Sequence, residues 1–184
     1  MKNEVCNNNI FIATERLYIK KLDRDDYVTF HQQQKDPFLM KYFGGPREDE
    51  GIKKIFDLLI THQEKYGFST GLVFLKQTKE VIGRAGLVHL DFKPVEDIEI
   101  GYFIAKPYCG SGYATELGEA LIKYAFDILH VSRIYATIDP KNTASCRVSE
   151  KLHLTFEKQD TYDTLRKVVN FYTKTKAQYQ REHI

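Results

Sequence analysis

Several residue types that would point to particular functions are scarce or missing in this sequence. Its three cysteines, Cys6, Cys109 and Cys146, are odd in number and far apart, with no Cys-x-x-Cys or Cys/His spacing. They predict neither a disulfide framework nor a zinc site, and a reducing compartment is the default for such a chain. The 27 basic and 25 acidic residues leave a net charge of only +2, so the composition gives no basic footprint for nucleic acid.

Long apolar runs are absent as well. Residues 1–5 lack the apolar stretch of a signal peptide, and no uninterrupted apolar run approaches the length of a membrane span. We therefore expect a soluble, cytoplasmic protein without a membrane or nucleic-acid partner and without a bound metal. The sequence leaves the oligomeric state open, with a homodimer among the possibilities.

What the chain does contain is typical of one globular domain. Its 184 residues are 42% hydrophobic and 28% charged, which is enough for a sizeable core. Twelve Phe and twelve Tyr, with no Trp, supply aromatic surface for that core or for a ligand cleft. No internal repeat or Pro/Gly/Ser-rich linker divides the chain. Residues 1–184 are therefore predicted to form a single domain, with residues 1–13 as a loose N-terminal leader.

The spacing of apolar residues predicts a mixed order of strands and helices. Alternation marks the strands, and apolar residues three or four apart mark the helices. The predicted elements are strand 17–22, helices 23–34 and 46–66, strands 71–75, 81–90 and 97–104, helix 113–129, strand 133–138, helix 142–152, and strands 155–158 and 168–175. This order has too few strand–helix–strand units for a doubly wound sheet, so it indicates a mixed α/β fold.

The most informative segment is the turn between strand 97–104 and helix 113–129. Gly110 and Gly112 lie in this turn, where unpaired N–H groups and the positive end of the helix dipole favour a phosphate or pyrophosphate. A Walker loop is disfavoured because Tyr113 and Ala114 stand where Lys and Ser or Thr are needed. A dinucleotide fingerprint is disfavoured because Thr115 replaces its third glycine.

Four motifs in matching order and spacing resemble the GNAT superfamily of N-acetyltransferases, specifically its ribosomal-protein (Rim-type) branch. The motifs are Thr14-Glu15-Arg16-Leu17, Ile98-Glu99-Ile100-Gly101-Tyr102, Gly110-Ser-Gly-Tyr-Ala-Thr-Glu116 and Asn142-x-x-Ser145-x-x-Val148-x-Glu150-Lys151-Leu152. The resemblance covers about residues 14–175. It implies a mostly antiparallel sheet flanked by helices and splayed between strands 97–104 and 133–138. It also implies direct transfer of an acetyl group from acetyl-CoA to a primary amine in a ternary complex.

The resemblance further assigns residues to the acetyl-CoA site. It implies that Asn142 contacts the cofactor, that the pantetheine arm pairs with the end of the strand, and that the turn holds the pyrophosphate. The strand end comprises Phe103, Ile104 and Ala105, and the turn comprises Cys109, Gly110, Ser111, Gly112, Tyr113 and Ala114. The family usually has Gln, Arg or Trp at position 109 and a basic residue at position 111. The grip on phosphate would therefore depend mainly on backbone N–H groups.

Two side chains are candidates for the chemistry. Glu99 is the candidate general base, because an amine with a pKa of about 10 must lose a proton before it attacks the thioester. The alternative is an ordinary solvent-facing strand glutamate. Ser145 resembles the serine proposed in the family to assist the leaving thiolate, and the alternative is a first-turn serine that satisfies a helix N–H. Asn142 would also cap that helix. Cys109 is interpreted as a substituted turn residue rather than a nucleophile.

The acceptor and the rival functions stay open at this point. The aromatic segment 38–43, with Tyr27, Phe30 and His31, is either an acceptor wall or part of the core. Protein N-terminal amines and small-molecule amines such as polyamines are both compatible with the sequence. A non-catalytic acyl-CoA-binding regulator of the same fold, or a transferase with another acyl donor, is the alternative function.

Overall fold

A computed structural model describes residues 9–90, 97–162 and 166–182 of the chain. The strands are β1 Ile10–Ala13, β2 Leu17–Lys21, β3 Thr70–Leu75, β4 Val81–His89, β5 Ile98–Ile104, β6 Arg133–Ile138, β7 Thr155–Tyr162 and β8 Lys167–Thr175. The α-helices are α1 Tyr27–Lys35, α2 Asp49–Tyr66, α3 Tyr113–Asp127, α4 Thr143–Lys151 and α5 Lys176–Glu182. None of the helices in these segments combines the length and the apolar character that a bilayer crossing requires.

The described strands form one sheet that is antiparallel except at its centre. Its order is β1-β2-β3-β4-β5-β6-β8-β7, and only the β5–β6 pair is parallel. That pair is in register only at Ile98–Ile134 and Glu99–Tyr135. Beyond Glu99 the two strands diverge, which confirms the predicted splayed, mostly antiparallel sheet.

The divergence leaves one edge of β5 uncovered. β4 and β5 pair without a break from His89–Ile98 to Gly83–Ile104, and the N–H of Ala105 donates to the carbonyl of Ile82 at 2.7 Å. Backbone polar groups of an antiparallel strand alternate in direction along the chain. The N–H groups of Tyr102 and Ile104 therefore face the gap between β5 and β6.

Each face of the sheet buries an apolar layer. On one face Leu117, Leu121 and Ala125 of α3 are fully buried against β4, β5 and β6. On the other face Phe30 of α1 and Phe56 of α2 pack with residues of β3 and β4. Burying such a side chain contributes about 1.5–3 kcal/mol. The second layer holds α1 and α2 over this face of the sheet, and a cavity lies between these helices and strands β4 and β5.

The predicted elements are confirmed in type and order, with corrections at their ends. Strand 133–138 matches β6, but β7 runs on to Tyr162, and α2 begins at Asp49 because Glu48 before it has an extended backbone. The loose leader is wrong for residues 10–13, which form β1 and bury Ile12 against the core. Residues 1–8 of that leader lie outside the described residues. Helix α5 was not predicted, and it docks through Tyr179, which stacks on Phe126 at 4.9 Å.

Candidate active site

The turn before α3 has the geometry of an anion-binding loop. Gly110 and Gly112 adopt φ of +85° and +82°, and no heavy atom lies within 4 Å of a side chain built on Gly110. Because α3 begins at Tyr113, the N–H groups of its first turn have no intrahelical acceptor. The turn itself, residues 110–112, is exposed. Main-chain donors, an open surface and the positive end of a helix thus coincide here.

Thr14 and Arg16, in the connection between β1 and β2, brace this turn through Glu116. The Thr14 hydroxyl and the Arg16 N–H donate to one Glu116 oxygen at 2.5 and 2.9 Å, and Arg16 Nε donates to the other at 2.7 Å. Arg16 also donates from Nη1 to the carbonyl of Ser111 at 3.0 Å and lies over the Tyr113 ring. Burial acts to raise the pKa of Glu116, but these hydrogen bonds hold the pKa below its usual value. The sequence shows these residues as motifs, but not that they contact one another.

Cys109 is directed toward the end of β5. Its sulfur lies 3.5 Å from the carbonyl oxygen of Ile104 and 3.6 Å from that of Ala105. Burial raises the pKa of the Cys109 thiol, so the sulfur is protonated near neutral pH and can donate to these carbonyls. A protonated thiol bonded to main-chain carbonyls is not poised as a nucleophile, because a nucleophilic cysteine requires a thiolate.

A small cleft of about 60 Å³ lies where β5 and β6 diverge. Asn142 and Ser145 line it, and the Asn142 side chain accepts from the Ser145 N–H at 3.2 Å, which confirms Asn142 as the cap of α4. Tyr102 also lines it, and its buried hydroxyl has no hydrogen-bond partner among the described residues. Burial raises the pKa of Tyr102, and the neighbouring Ser145 acts in the opposite direction. The sequence reasoning used Tyr102 only as a motif residue and missed this hydroxyl.

Glu99 is the last residue of β5 that pairs with β6, and its carboxylate is held from two strands. The Thr137 hydroxyl donates to one of its oxygens and the Tyr162 hydroxyl donates to the other. The side chain is partly buried and lines both the cleft and a second cavity. An ordinary solvent-facing glutamate does not fit this arrangement. The carboxylate is instead fixed at the junction of two cavities.

The second cavity has a volume of about 140 Å³ and lies between the sheet and helices α1 and α2. We call it the acceptor cavity after the acceptor wall expected from the sequence. Its apolar lining includes Met40, Phe43, Ile55, Leu59, Val88 and Phe103, and its polar lining includes Gln34, Arg47, Thr70, Arg84, Glu99, Thr137 and Tyr162. A wider and more open groove of about 1350 Å³ lies along α3 and α5, away from Glu99. Of the groove and the acceptor cavity, it is the acceptor cavity that Glu99 lines.

The structure brings only part of the predicted aromatic wall to the acceptor cavity. Met40 and Phe43 line it. Tyr27 and Phe30 instead pack on Phe56 in the core, and His31 bonds Asp49 at the surface. Tyr27 and Phe30 thus follow the core interpretation, because α1 packs their rings against Phe56 of α2.

The strand-end residues divide in the same way. Ile104 presents its N–H to the open edge of β5, whereas the Ala105 N–H is bonded to Ile82 and Phe103 is paired with Arg84 of β4. The Phe103 side chain lines the acceptor cavity. Of these three residues, Ile104 therefore offers the open backbone N–H, and the cofactor contacts expected for residues 103–105 stay a prediction.

A sheet that opens beside a glycine turn, with a carboxylate at the opening, defines an acyltransferase of the acetyl-CoA-dependent type. Residues 16–155 match the family model for the acetyltransferase (GNAT) domain, and the chain belongs to this family of acetyltransferases. It is 30% identical to the uncharacterized protein YkkB of Bacillus subtilis over 172 residues, 93% of this chain and 95% of that one.

Two further comparisons agree with this assignment. The chain is 34% identical to the uncharacterized N-acetyltransferase p20 of Bacillus licheniformis over 154 residues, 80% of this chain and 83% of that one. The crystal structure of spermidine N-acetyltransferase from Vibrio cholerae in complex with CoA and spermine has the same fold. It superposes with a TM-score of 0.73 at 21% identity, covering 90% of this chain and 98% of that one. Membership of the Rim-type branch stays a prediction.

Proposed function

We propose that this protein acetylates a primary amine by direct transfer from acetyl-CoA while both substrates are bound. The observation that carries the proposal is the uncovered edge of β5, which runs from Glu99 to the glycine turn. It joins an anion-binding loop at one end to a fixed carboxylate and a cavity at the other. The Vibrio cholerae structure of the same fold, solved with CoA and spermine, supports a site of this kind.

The residues around the turn suit the diphosphate of acetyl-CoA. Gly110 and Gly112 leave room for close approach, and the N–H groups of Tyr113 and Ala114 point out of the first turn of α3. Ser111 and Cys109 bring no positive charge to the turn. Arg16 replaces part of that missing charge, since its guanidinium lies 3.5 Å from the position of a Gly112 side chain.

The chemistry assigned to the cleft needs one proton acceptor and one proton donor. Glu99 takes a proton from the acceptor ammonium, directly or through water, a contribution of roughly 10²–10⁴ in rate. The amine nitrogen then forms a bond to the thioester carbon while the carbon–sulfur bond breaks, and the second proton lost by the nitrogen passes to the thiolate sulfur, so that CoA leaves as the free thiol. The N–H of Ile104 donates to the carbonyl oxygen as negative charge develops there. Ser145, next to Tyr102 and the cap residue Asn142, donates to the departing thiolate.

The first test is the binding of CoA by the turn, measured by calorimetry. Gly110→Ala places a methyl group where the diphosphate approaches, and we expect CoA to bind about tenfold more weakly, the equivalent of one charge-assisted hydrogen bond. Gly67→Ala is the matched control, because Gly67 has a φ of +80° and equally open surroundings at the end of α2. Equal losses in both variants would argue against the turn as the site.

The second test is thiol release from acetyl-CoA across a panel of amines. Release with at least one amine class supports the proposal. Tight CoA binding without release across the panel would instead indicate a non-catalytic acyl-CoA-binding protein. A comparison of acetyl-, propionyl- and succinyl-CoA then decides the acyl donor.

A further inference from the structure

Two guanidinium groups line the acceptor cavity, and neither forms an ion pair within the described residues. Arg84 projects from β4, and Arg47 comes from the segment before α2. The Nη1 atom of Arg84 is buried and has no hydrogen-bond partner in the described segments. The residue as a whole is half-buried, and a guanidinium with a desolvated N–H group is costly unless something pairs with it.

The Arg84 guanidinium is held in place by aromatic rings. Its central carbon lies 4.2 Å from the centre of the Phe30 ring and 4.9 Å from the centre of the Phe103 ring. Burial, and then the charge of Arg47, lowers the pKa of Arg84 to about 9. The group is therefore still a cation near neutral pH. It is a positioned and poorly solvated positive charge, which suits a planar anion such as a carboxylate or a phosphate.

Other buried polar atoms belong to the same cavity wall. The Gln34 Oε1 and Thr70 Oγ1 atoms are buried without partners in the described part of the chain, and both residues line the cavity. Native proteins leave few such atoms unpaired, and clusters of them mark places where a ligand or water completes the bonding. Three residues that line the cavity, Gln34, Thr70 and Arg84, thus have a buried polar atom without a partner among the described residues.

Arg84 and Glu99 lie on the same face of the sheet at opposite ends of the cavity. Arg84 pairs with Phe103 and Glu99 pairs with Val88, so the two positions are four residues apart along neighbouring strands. At about 3.3 Å per residue their backbones are roughly 13 Å apart. The cavity therefore has a cationic end and an anionic end, with Met40, Phe43 and Leu59 lining the space as well.

From this arrangement we infer that the acceptor is a primary amine that also carries an anionic group, bound by Arg84 with Arg47 while the amine faces Glu99. This inference rests on the proposed function. The anionic group is a carboxylate or a phosphate, and both suit a guanidinium. We expect polyamines to be poor acceptors, because the two cationic arginines repel their ammonium groups in a site with little water.

The experiment compares acceptors that differ only in the anionic group. 4-Aminobutyrate is tested against butylamine, and phosphoethanolamine against ethanolamine, with spermidine as the polycation. Thiol release from acetyl-CoA gives kcat/KM for each amine. We expect at least one amine with an anionic group to exceed its counterpart without that group by about tenfold or more, and the better pair identifies carboxylate or phosphate. Equal values within both pairs, or a preference for spermidine, would overturn the inference.

Variants then connect the preference to the arginine. In Arg84→Met the ratio of kcat/KM between each anionic amine and its counterpart should fall to about 1, and Arg47→Gln should lower it in part. Arg24→Met is the control, since the Arg24 side chain is 75% exposed and is not among the residues that line the acceptor cavity or the cleft. An unchanged ratio in an Arg84→Met variant that is at least as stable as wild type would contradict the assignment.

A binding measurement separates this inference from the proposed function. Butyrate and inorganic phosphate are titrated into the protein, and melting temperature is followed for wild type, Arg84→Met and Arg24→Met. We expect at least one anion to raise the melting temperature of wild type and Arg24→Met but not of Arg84→Met. Acetylation without charge preference would overturn only the inference. Failure to bind CoA would overturn the proposed function, while the anion titration would still decide whether Arg84 binds an anion.

Discussion

The two ends of the β5 edge differ in whether main-chain groups or side chains would contact a ligand. At the glycine turn the groups that face a ligand belong to the main chain, and the side chains around them, Thr14, Arg16 and Glu116, satisfy one another. In the acceptor cavity the groups that face a ligand are side chains, and Gln34, Thr70 and Arg84 each keep a buried polar atom without a partner in the described residues. Among the described residues, the groups left unpaired in the first region are main-chain N–H groups, whereas those left unpaired in the second region are buried side-chain atoms.

This difference agrees with what each region would have to do. A diphosphate is the same in every turnover, so a turn of backbone amides braced from outside is sufficient to hold it. An acceptor must be chosen among many amines, and selection requires polar groups that lose bonding when the wrong molecule enters. The buried atoms around Arg84 are the kind of groups that can penalise an amine without an anion.

The largest effect should come from Glu99, which lies where the two regions meet. Replacing Glu99 by Gln keeps the shape of the side chain but removes the proton acceptor, and one of the two hydroxyls, of Thr137 or Tyr162, must then accept from the amide NH2 instead of donating. We expect kcat to fall by roughly 10²–10⁴ with CoA affinity unchanged. Steady-state kinetics and calorimetry measure the two quantities. Glu119→Gln on the exposed side of α3 is the control, and equal rates in both variants would remove Glu99 from the mechanism.

The brace around the turn should give the next largest effect. Arg16→Met removes the bonds to Glu116 and to the Ser111 carbonyl and takes a positive charge away from the turn. We expect CoA to bind about tenfold more weakly, since one charge-assisted hydrogen bond corresponds to about that factor. The KM of the acceptor should change little. The Arg16 side chain is 44% exposed, so stability should change by less than about 1 kcal/mol. A higher KM for the acceptor with unchanged CoA affinity would contradict the assignment of Arg16 to the glycine turn.

The two regions also differ in how much of them the sequence reveals. The turn lies within residues 109–114, so a local pattern of glycines before a helix was sufficient to predict it. Its brace joins Arg16 to Glu116 across 100 residues, and the motifs showed both residues without showing the contact. Arg84 has no motif at all, because its environment comes from Phe30 of α1 and Phe103 of β5.

For the fold, too, contacts between residues far apart in the chain could not be predicted from the sequence. The long elements with a clear apolar period were predictable, and so was the opening of the sheet through the family resemblance. Strand β1 has four residues, and α5 has seven, which is too short for periodicity to separate them from loops. Both are stabilised by contacts with distant elements, β1 by its pairing with β2 and α5 by the ring of Phe126.

A smaller effect should appear in the stability of the acceptor cavity. An unpaired buried cation destabilises the folded state, and an apolar side chain of similar length removes that cost. We expect Arg84→Met to raise the free energy of unfolding by about 1 kcal/mol or more, even though it loses its ring contacts. Arg24→Met should stay within about 0.5 kcal/mol of wild type. Urea unfolding measures both values, and a clear destabilisation by Arg84→Met would mean that the guanidinium supports the fold rather than a ligand.

The smallest effect concerns the pH dependence of the same cavity. Its walls α2 and β4 are joined by His62 and His89, whose ring nitrogens lie 2.8 Å apart, with His62 also bonded to the Phe68 carbonyl at 2.9 Å. Burial lowers the pKa of both histidines below 6.5, with the charge of Lys65 acting in the same direction. The unfolded chain therefore binds more protons than the folded chain as the pH falls below 6.5. The stability that the neutral pair gives above that pH is then lost, with a slope of at most about 1.4 kcal/mol per pH unit for each histidine.

Replacing both histidines tests this pH dependence against the rest of the molecule. We expect the free energy of unfolding of wild type to decrease between about pH 7 and pH 5, and that decrease to be smaller in the His62→Gln, His89→Gln double variant. His31→Gln, which removes a histidine that bonds Asp49 at the surface, should keep the wild-type slope. Because the pair joins the walls of the acceptor cavity and not the glycine turn, CoA affinity should change little over the same range. A parallel loss of CoA affinity would mean that the turn and the cavity do not respond separately to pH.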